Sequence, residues 1–127
     1  MLDLNELEDV GKLKHLSLKN VEKDYLQEIV LFSLYSNISK ELIFKGGTCI
    51  YKIYKLNRFS EDLDFTMAKN IKVKELMNKL IKDFSLLNIK ASVKDITEYK
   101  NEINVRLLFN GPLYKGSKES QCFIPLN

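Results

Sequence analysis

The sequence predicts an α/β (α+β) fold, with helices packed on a mixed, largely antiparallel sheet, in a single domain of 127 residues. Three observations carry the prediction. Two long segments place apolar residues at helical spacing, and short runs in the last third alternate apolar with polar residues. Between them, an apolar run ends at a Gly-Gly pair that opens a short helix. No shift in composition and no Gly/Ser/Pro-rich linker divides the chain, and the 45% apolar content is ordinary for a globular domain.

The elements follow in order. Met1–Leu18 is a loosely specified lead-in. Val21–Tyr35 sets Tyr25, Ile29, Phe32 and Leu34 near helical spacing and predicts a helix ahead of the first strand. Leu42–Phe44 reads as a strand, and Thr48 begins a helix running to about Leu56. Ile71–Leu87 carries Leu76, Leu80, Phe84 and Leu87 as the inward stripe of another helix. Ile89–Ile96 alternates and reads as a strand. Ile103–Phe109, with Val105, Leu107 and Phe109 on one face, reads as the next, and Tyr99–Glu102 would join the two as a hairpin. Gln121–Leu126 begins a further strand.

The chemistry is concentrated in Phe44–Phe65, FKGGTCIYKIYKLNRFSEDLDF. Gly46 and Gly47 let a backbone approach a phosphate closely. The helix that follows offers unpaired N–H groups and a positive dipole end to the same anion. Asp62 and Asp64, at i and i+2 of an extended segment, point to one face and can together hold a hard cation such as Mg²⁺. A helix from Thr48 to Leu56 is roughly 13 Å long, at ~1.5 Å per residue. Lys55–Glu61 spans roughly 23 Å when extended, at ~3.3 Å per residue. The chain can therefore return Asp62 and Asp64 to the glycines, which makes the two strands antiparallel. Taken singly, a Gly-Gly is usually a turn and Asp-x-Asp a solvated strand end. Their combination, with Arg58 and Ser60 just ahead of the acids, points to phosphoryl or nucleotidyl transfer. Neither a Walker A loop nor a Rossmann fingerprint is present.

The motif Phe44-Lys45-Gly46-Gly47-Thr48, followed by Arg58-Phe59-Ser60-Glu61-Asp62-Leu63-Asp64-Phe65, resembles the nucleotidyltransferase superfamily of DNA polymerase β type. More closely it resembles the AbiEii/AbiGii toxins of prokaryotic toxin–antitoxin and phage-abortive systems. Asn110-Gly111-Pro112-Leu113-Tyr114 with Gly116 is similar to a family turn between two later strands, and the resemblance covers roughly residues 25–120. It implies Mg²⁺-dependent transfer of a nucleoside monophosphate from an NTP, GTP for some members, onto RNA such as a tRNA end, and a cognate antitoxin. It implies further that Asp62 and Asp64 hold the metal and that Gly46, Gly47 and Thr48 contact the triphosphate. Lys45, Arg58 and Ser60 are weaker candidates: Arg58 either neutralises phosphate charge or pairs with Asp62.

The resemblance also implies a third carboxylate on the strand after the Gly-Pro-Leu segment. Here that strand, Gln121–Asn127, has no acid, and Pro125 removes a ladder donor from it. Glu102 and Glu119 are the nearest substitutes, and neither fits the pattern. The family's C-terminal half, with its Lys-x-x-x-Lys helix, is not in the sequence; Lys90 and Lys94 have that spacing but sit on a predicted strand. The domain is thus expected to be a partial nucleotidyltransferase core. Three functions stay open: an active nucleotidyltransferase, an NTP- and metal-binding remnant, and an RNA- or partner-binding module that keeps only the fold.

Charge and cysteine use bound the setting. The net charge of +3 conceals five lysines against seven acids in residues 1–40 and fifteen basic against ten acidic residues in 41–127. The basic second part would face nucleotide or RNA, although the lysines between Lys69 and Lys82 read more simply as a solvated helix face. His15 reads as a surface residue. No apolar stretch approaches the ~20 residues of a membrane span, the acidic start is unlike a signal peptide, and Cys49 and Cys122 lack metal-ligand spacing. These features lead to the expectation of a reduced, cytoplasmic protein.

Overall fold

A computed structural model describes residues 1–127. Helix α1 (Leu4–Lys14) is followed by α2 (Leu18–Asn37), strand β1 (Leu42–Lys45), α3 (Gly46–Ile53), β2 (Asp64–Met67) and α4 (Val73–Leu86). Strands β3 (Lys90–Tyr99), β4 (Glu102–Asn110) and β5 (Cys122–Leu126) complete the chain, with one 3₁₀ turn at Lys118–Ser120.

The lead-in has more structure than expected. Residues 4–14 form α1, started by a reciprocal cap in which Asp3 accepts from the Glu6 amide at 2.8 Å while Glu6 accepts from the Asp3 amide at 3.2 Å. His15 closes the helix with φ 56° and is exposed, as a surface residue should be. Leu7 is fully buried. A helix that contributes so few core residues leaves only a faint periodic trace in sequence.

β1 and β2 are antiparallel, with Phe44 opposite Phe65 and Lys45 opposite Asp64. β3, β4 and β5 form an antiparallel meander. The two groups join where Leu63 meets Leu126 in a parallel bridge. Leu63 N–H donates to the Pro125 carbonyl at 3.1 Å, Asn127 N–H to Leu63 at 2.9 Å, and Phe65 N–H to Asn127 at 3.0 Å. Strand order across the molecule is therefore β1-β2-β5-β4-β3.

Pro125 lies within β5, where it brings no N–H to the ladder. Leu126 and Ile124 face Val105 and Leu107 of β4, so the alternation of the ladder turns residue 125 away from β4 and toward β2. The missing N–H therefore falls where pairing with β2 has only begun.

One face of the sheet packs on α2 and α4. Leu26, Val30 and Leu34 of α2, Leu80 and Phe84 of α4, and Leu107, Phe109 and Ile124 of the sheet are all fully buried there. Phe84 and Phe109 lie with ring centroids 5.2 Å apart. The period-2 alternation of β4 and β5 leaves the opposite face open, carrying Asn104, Arg106, Phe123 and Asn127. On it Arg106 donates from Nε to Asp95 Oδ1 at 2.8 Å and pairs with Oδ2 through NH2. That bond holds the Asp95 carboxyl below its usual range. The β3–β4 turn is the two-residue hairpin Lys100–Asn101, both at positive φ.

Candidate functional site

The site forms where β1 runs directly into α3. Lys45 occupies the N-cap position but supplies no side-chain cap, so the first-turn N–H groups of α3 have no side-chain acceptor. Gly46 has φ +82°, and a Cβ on it would stand 2.5 Å from Asp64 Oδ2. Only a residue without a side chain both takes this backbone conformation and admits the carboxylate. A Cβ on Gly47 would stand 3.0 Å from the Ser60 hydroxyl. The two glycines thus bring the helix start against Asp64 on one side and Ser60 on the other.

Asp62 and Asp64 flank the fully buried Leu63, which fixes them on the open side of the sheet. Asp62 is exposed and Asp64 half-buried. They serve two adjoining concavities. Asp64 lines a cleft of about 780 Å³ with Lys45, Gly46, Glu102, Asn104 and Asn127. Asp62 lines a smaller hollow of about 550 Å³ with Gly47, Arg58 and Ser60. The start of α3 is the ridge between them, so all eight residues singled out in the sequence lie in one neighbourhood.

Thr48 is fully buried, and its hydroxyl donates to the Asp62 carbonyl. It faces the loop that presents Asp62 and not the solvent side where a triphosphate would lie. Arg58 is exposed and forms no ion pair, so the pairing with Asp62 weighed above does not occur. Lys45 is exposed beside Asp64. Cys49 is half-buried. Cys122 is buried, and burial, then the charge of Glu22, pushes its thiol up to about 12, which leaves it inert.

Three anchoring residues were not visible as such in the sequence. Gln27, fully buried on α2, donates from Nε2 to the carbonyls of Ser60 and Glu61, each at 3.0 Å. Its Oε1 has no partner. Asp24, 2% exposed, accepts from Lys14 Nζ at 2.7 Å and from Lys52 Nζ at 2.6 Å. Lys52 belongs to α3, so this buried pair fastens the candidate phosphate helix to α2. The signal was the presence of Asp24 and Gln27 three residues apart among the apolar positions Val21, Leu26 and Val30 of one helix.

No three Asp, Glu, His or Cys side chains gather closely enough to hold a metal ion. The strand expected to supply a third carboxylate is present as β5, and the residue it places beside Asp64 is Asn127, whose Nδ2 donates to Asp64 Oδ1 at 2.9 Å. Glu119 lies in the exposed turn before β5, away from the cleft. Glu102 lines the cleft, but it sits two strands and two residues from Asp64, a separation of about 12 Å between Cα atoms at standard sheet spacings. The donor set is two carboxylates. That fits one Mg²⁺, which binds through one or two carboxylates and completes its shell with water and phosphate oxygens.

A family model for the nucleotidyl transferase AbiEii toxins of type IV toxin–antitoxin systems matches residues 29–114. The chain belongs to the AbiEii toxin family. Seven chains among solved structures match it. One is a crystal structure from H. pylori, provisionally assigned as a nucleotidyltransferase, at 26% identity and a TM-score of 0.56. The match covers 87% of this chain and 45% of that one, so this AbiEii-family domain spans less than half the length of its structural relative. A comparison with curated proteins finds no match. No helix is long and apolar enough to cross a membrane.

Proposed function

We propose that this domain binds an NTP with Mg²⁺ as the nucleotide-holding part of a nucleotidyltransferase that modifies RNA, a tRNA end being the acceptor class implied by the resemblance. The observation that carries the reading is the uncapped start of α3 at Gly46–Gly47, set by the β1–β2 pairing against Asp64. In this reading Gly46 and Gly47 offer backbone N–H groups to the triphosphate. Lys45 and Arg58 neutralise its charge, and Ser60 adds a hydroxyl. Asp62 and Asp64 hold the Mg²⁺, which when bound supplies Lewis-acid polarisation of phosphate oxygens. Thr48 and Gln27 act one step back, by fixing the Ser60–Asp62 backbone. A cognate antitoxin and a cytoplasmic setting belong to the same proposal.

Asn127 favours a second reading, in which the domain binds nucleotide and metal but transfers poorly. An amide beside Asp64 cannot take a proton from an acceptor hydroxyl. Calorimetric titration with each of the four NTPs, with and without Mg²⁺, tests the binding. At least one NTP is expected to bind in a Mg²⁺-dependent way, and Asp64→Ala should remove that dependence while the domain stays folded. Unchanged nucleotide affinity in Asp64→Ala would overturn the metal assignment. Incubation with labelled NTP and total RNA then separates the two readings, since the second expects little incorporation.

A further inference from the structure

Helix α3 carries its amphipathicity reversed. Thr48 and Lys52, one turn apart, are its buried residues, the first fully and the second with its side chain 7% exposed. Ile50, Ile53 and Tyr54 stand at i, i+3 and i+4 and are 40%, 62% and 74% exposed. Leu56, just past the helix, is 57% exposed. Single exposed apolar residues are ordinary on a protein surface. Three on one face of an eight-residue helix that buries a lysine call for a partner.

The same face leads to the candidate site. Gly47 precedes Ile50 by three residues and Tyr54 by seven, so the stripe starts at the glycines. Gly47, Ile50, Leu56, Arg58, Phe59 and Asp62 line one hollow of about 550 Å³. Phe59 is held there edge-on to Tyr51, with ring centroids 5.7 Å apart. The charge of the whole segment has one sign: Leu42–Ser60 carries Lys45, Lys52, Lys55 and Arg58 and no acid. Lys52 is taken by Asp24, while Lys45, Lys55 and Arg58 form no ion pair. Helix α4 has Lys74, Lys79 and Lys82, but its one aromatic residue, Phe84, is fully buried, so α4 offers charge without a stacking surface.

We propose that the outer face of α3 and the loop after it form a platform on which a single-stranded stretch of RNA lies as it approaches Asp62. This deepens the proposed function and rests on it for RNA as the acceptor, not for metal or NTP binding. Tyr54 stacks on a base. Ile50, Ile53 and Leu56 pack against the apolar faces of bases and sugars, and Lys55 pairs with a phosphate. Aromatic and apolar side chains bordered by unpaired cations are the equipment of single-strand binding, which tolerates many sequences because every base has a π-face. A polypeptide or a lipid surface could also cover the apolar face. Neither has a reason to follow the stripe into the Asp62 hollow, whereas an acceptor strand must end there.

The probe is a fluorescein-labelled oligouridylate of about ten nucleotides, mixed with the domain without Mg²⁺ or NTP and read by anisotropy. Binding with a Kd below about 100 μM is expected, weakening as salt rises. Tyr54→Ala should bind about tenfold more weakly, through the loss of one stacked base. Lys55→Gly removes a charge at a backbone position, φ 57°, that suits glycine. It should melt no lower than the parent, yet reduce the slope of log K against log salt by about 0.7. An abasic oligomer of the same length should bind at least about tenfold more weakly than oligouridylate, and this comparison decides even if a variant fails to fold. Both variants should keep the parent's Mg²⁺-dependent NTP affinity. A parent that binds RNA through Tyr54 and Lys55 but binds no NTP refutes the nucleotide site and leaves the platform standing. Absence of RNA binding by the parent, parent-like RNA binding by folded Tyr54→Ala, an unaltered salt slope in Lys55→Gly, or equal binding of the abasic oligomer overturns the platform. So does tighter binding of an RNA duplex of the same length. A parent that binds phosphatidylserine vesicles and not the oligomer gives the face to a lipid surface and overturns it likewise.

Discussion

Gly46→Ala and Gly47→Ala separate a glycine that the site geometry requires from one that it merely accommodates. At Gly46 an L-residue must adopt φ +82°, which costs roughly 1–2 kcal/mol. Its Cβ would also stand 2.5 Å from Asp64 Oδ2, so the carboxylate must move away. That movement gives up the 2.9 Å bond from Asn127, worth about 1 kcal/mol. The two effects sum to about 2–3 kcal/mol of lost stability. At ~4 °C per kcal/mol for a domain of this size, Gly46→Ala should melt roughly 8–12 °C below the parent. Gly47 has an ordinary φ, and its nearest neighbour is a rotatable serine hydroxyl at 3.0 Å. The strain there is partly offset by the better helix propensity of Ala, about 1 kcal/mol, so Gly47→Ala should stay within about 1 kcal/mol of the parent. Urea denaturation with a thermal melt on each variant provides the assay, and Mg²⁺-dependent NTP binding is read on the same samples. Gly46→Ala should lose both stability and binding, and Gly47→Ala mainly binding. A Gly46→Ala variant as stable as the parent, or a Gly47→Ala variant less stable than Gly46→Ala, would falsify this account of the α3 start.

Three further outcomes follow from the same geometry. Lys52→Ala should destabilise the domain by about 3 kcal/mol, because Asp24 stays buried with one of its two close cationic partners gone; a change under ~1 kcal/mol in urea denaturation would show that the pair does not fasten α3. Asn127→Asp should lower metal-free stability, since like charges then face each other beside Asp64, and should raise Mn²⁺ or Mg²⁺ affinity measured calorimetrically by about tenfold or more; unaltered metal affinity would remove Asn127 as the third position. Burial holds the Glu22 carboxyl above its ordinary 4.5, partly offset by the Leu113 N–H at 2.7 Å. Its contribution to stability is therefore fully present below pH 4.5 and is lost as pH rises through the elevated folded value. Glu22→Gln keeps an acceptor for Leu113 and should gain on the parent as pH is raised from 4 toward 7; parallel stability curves would contradict this.

Local patterning made most of the elements legible. The predicted helix Val21–Tyr35 is the interior of α2, Ile71–Leu87 overlaps α4 within two residues at each end, and the alternation of Val105, Leu107 and Phe109 placed β4 with its inward face correct. α1 was not legible, because its specification lies in a capping box and one fully buried leucine and not in a long stripe. The short helix α3 was, but its apolar positions Ile50 and Ile53 stay exposed, so periodicity there did not report burial.

The sequence by itself determined the residue types of the site and their order along the chain: a Gly-Gly at a strand–helix junction, then two aspartates at strand spacing with Leu63 between them. These are properties of consecutive residues, and chain length alone allowed the return from α3 to β2. Only the tertiary structure decided what lies beside them. Lys45 meets Asp64 through strand pairing, Asn127 reaches Asp64 from 63 positions away, and Gln27 holds Ser60 and Glu61 from another helix. Contacts of this kind depend on register and on which side of a ladder each backbone group faces. A linear sequence constrains those only through the packing of the whole core.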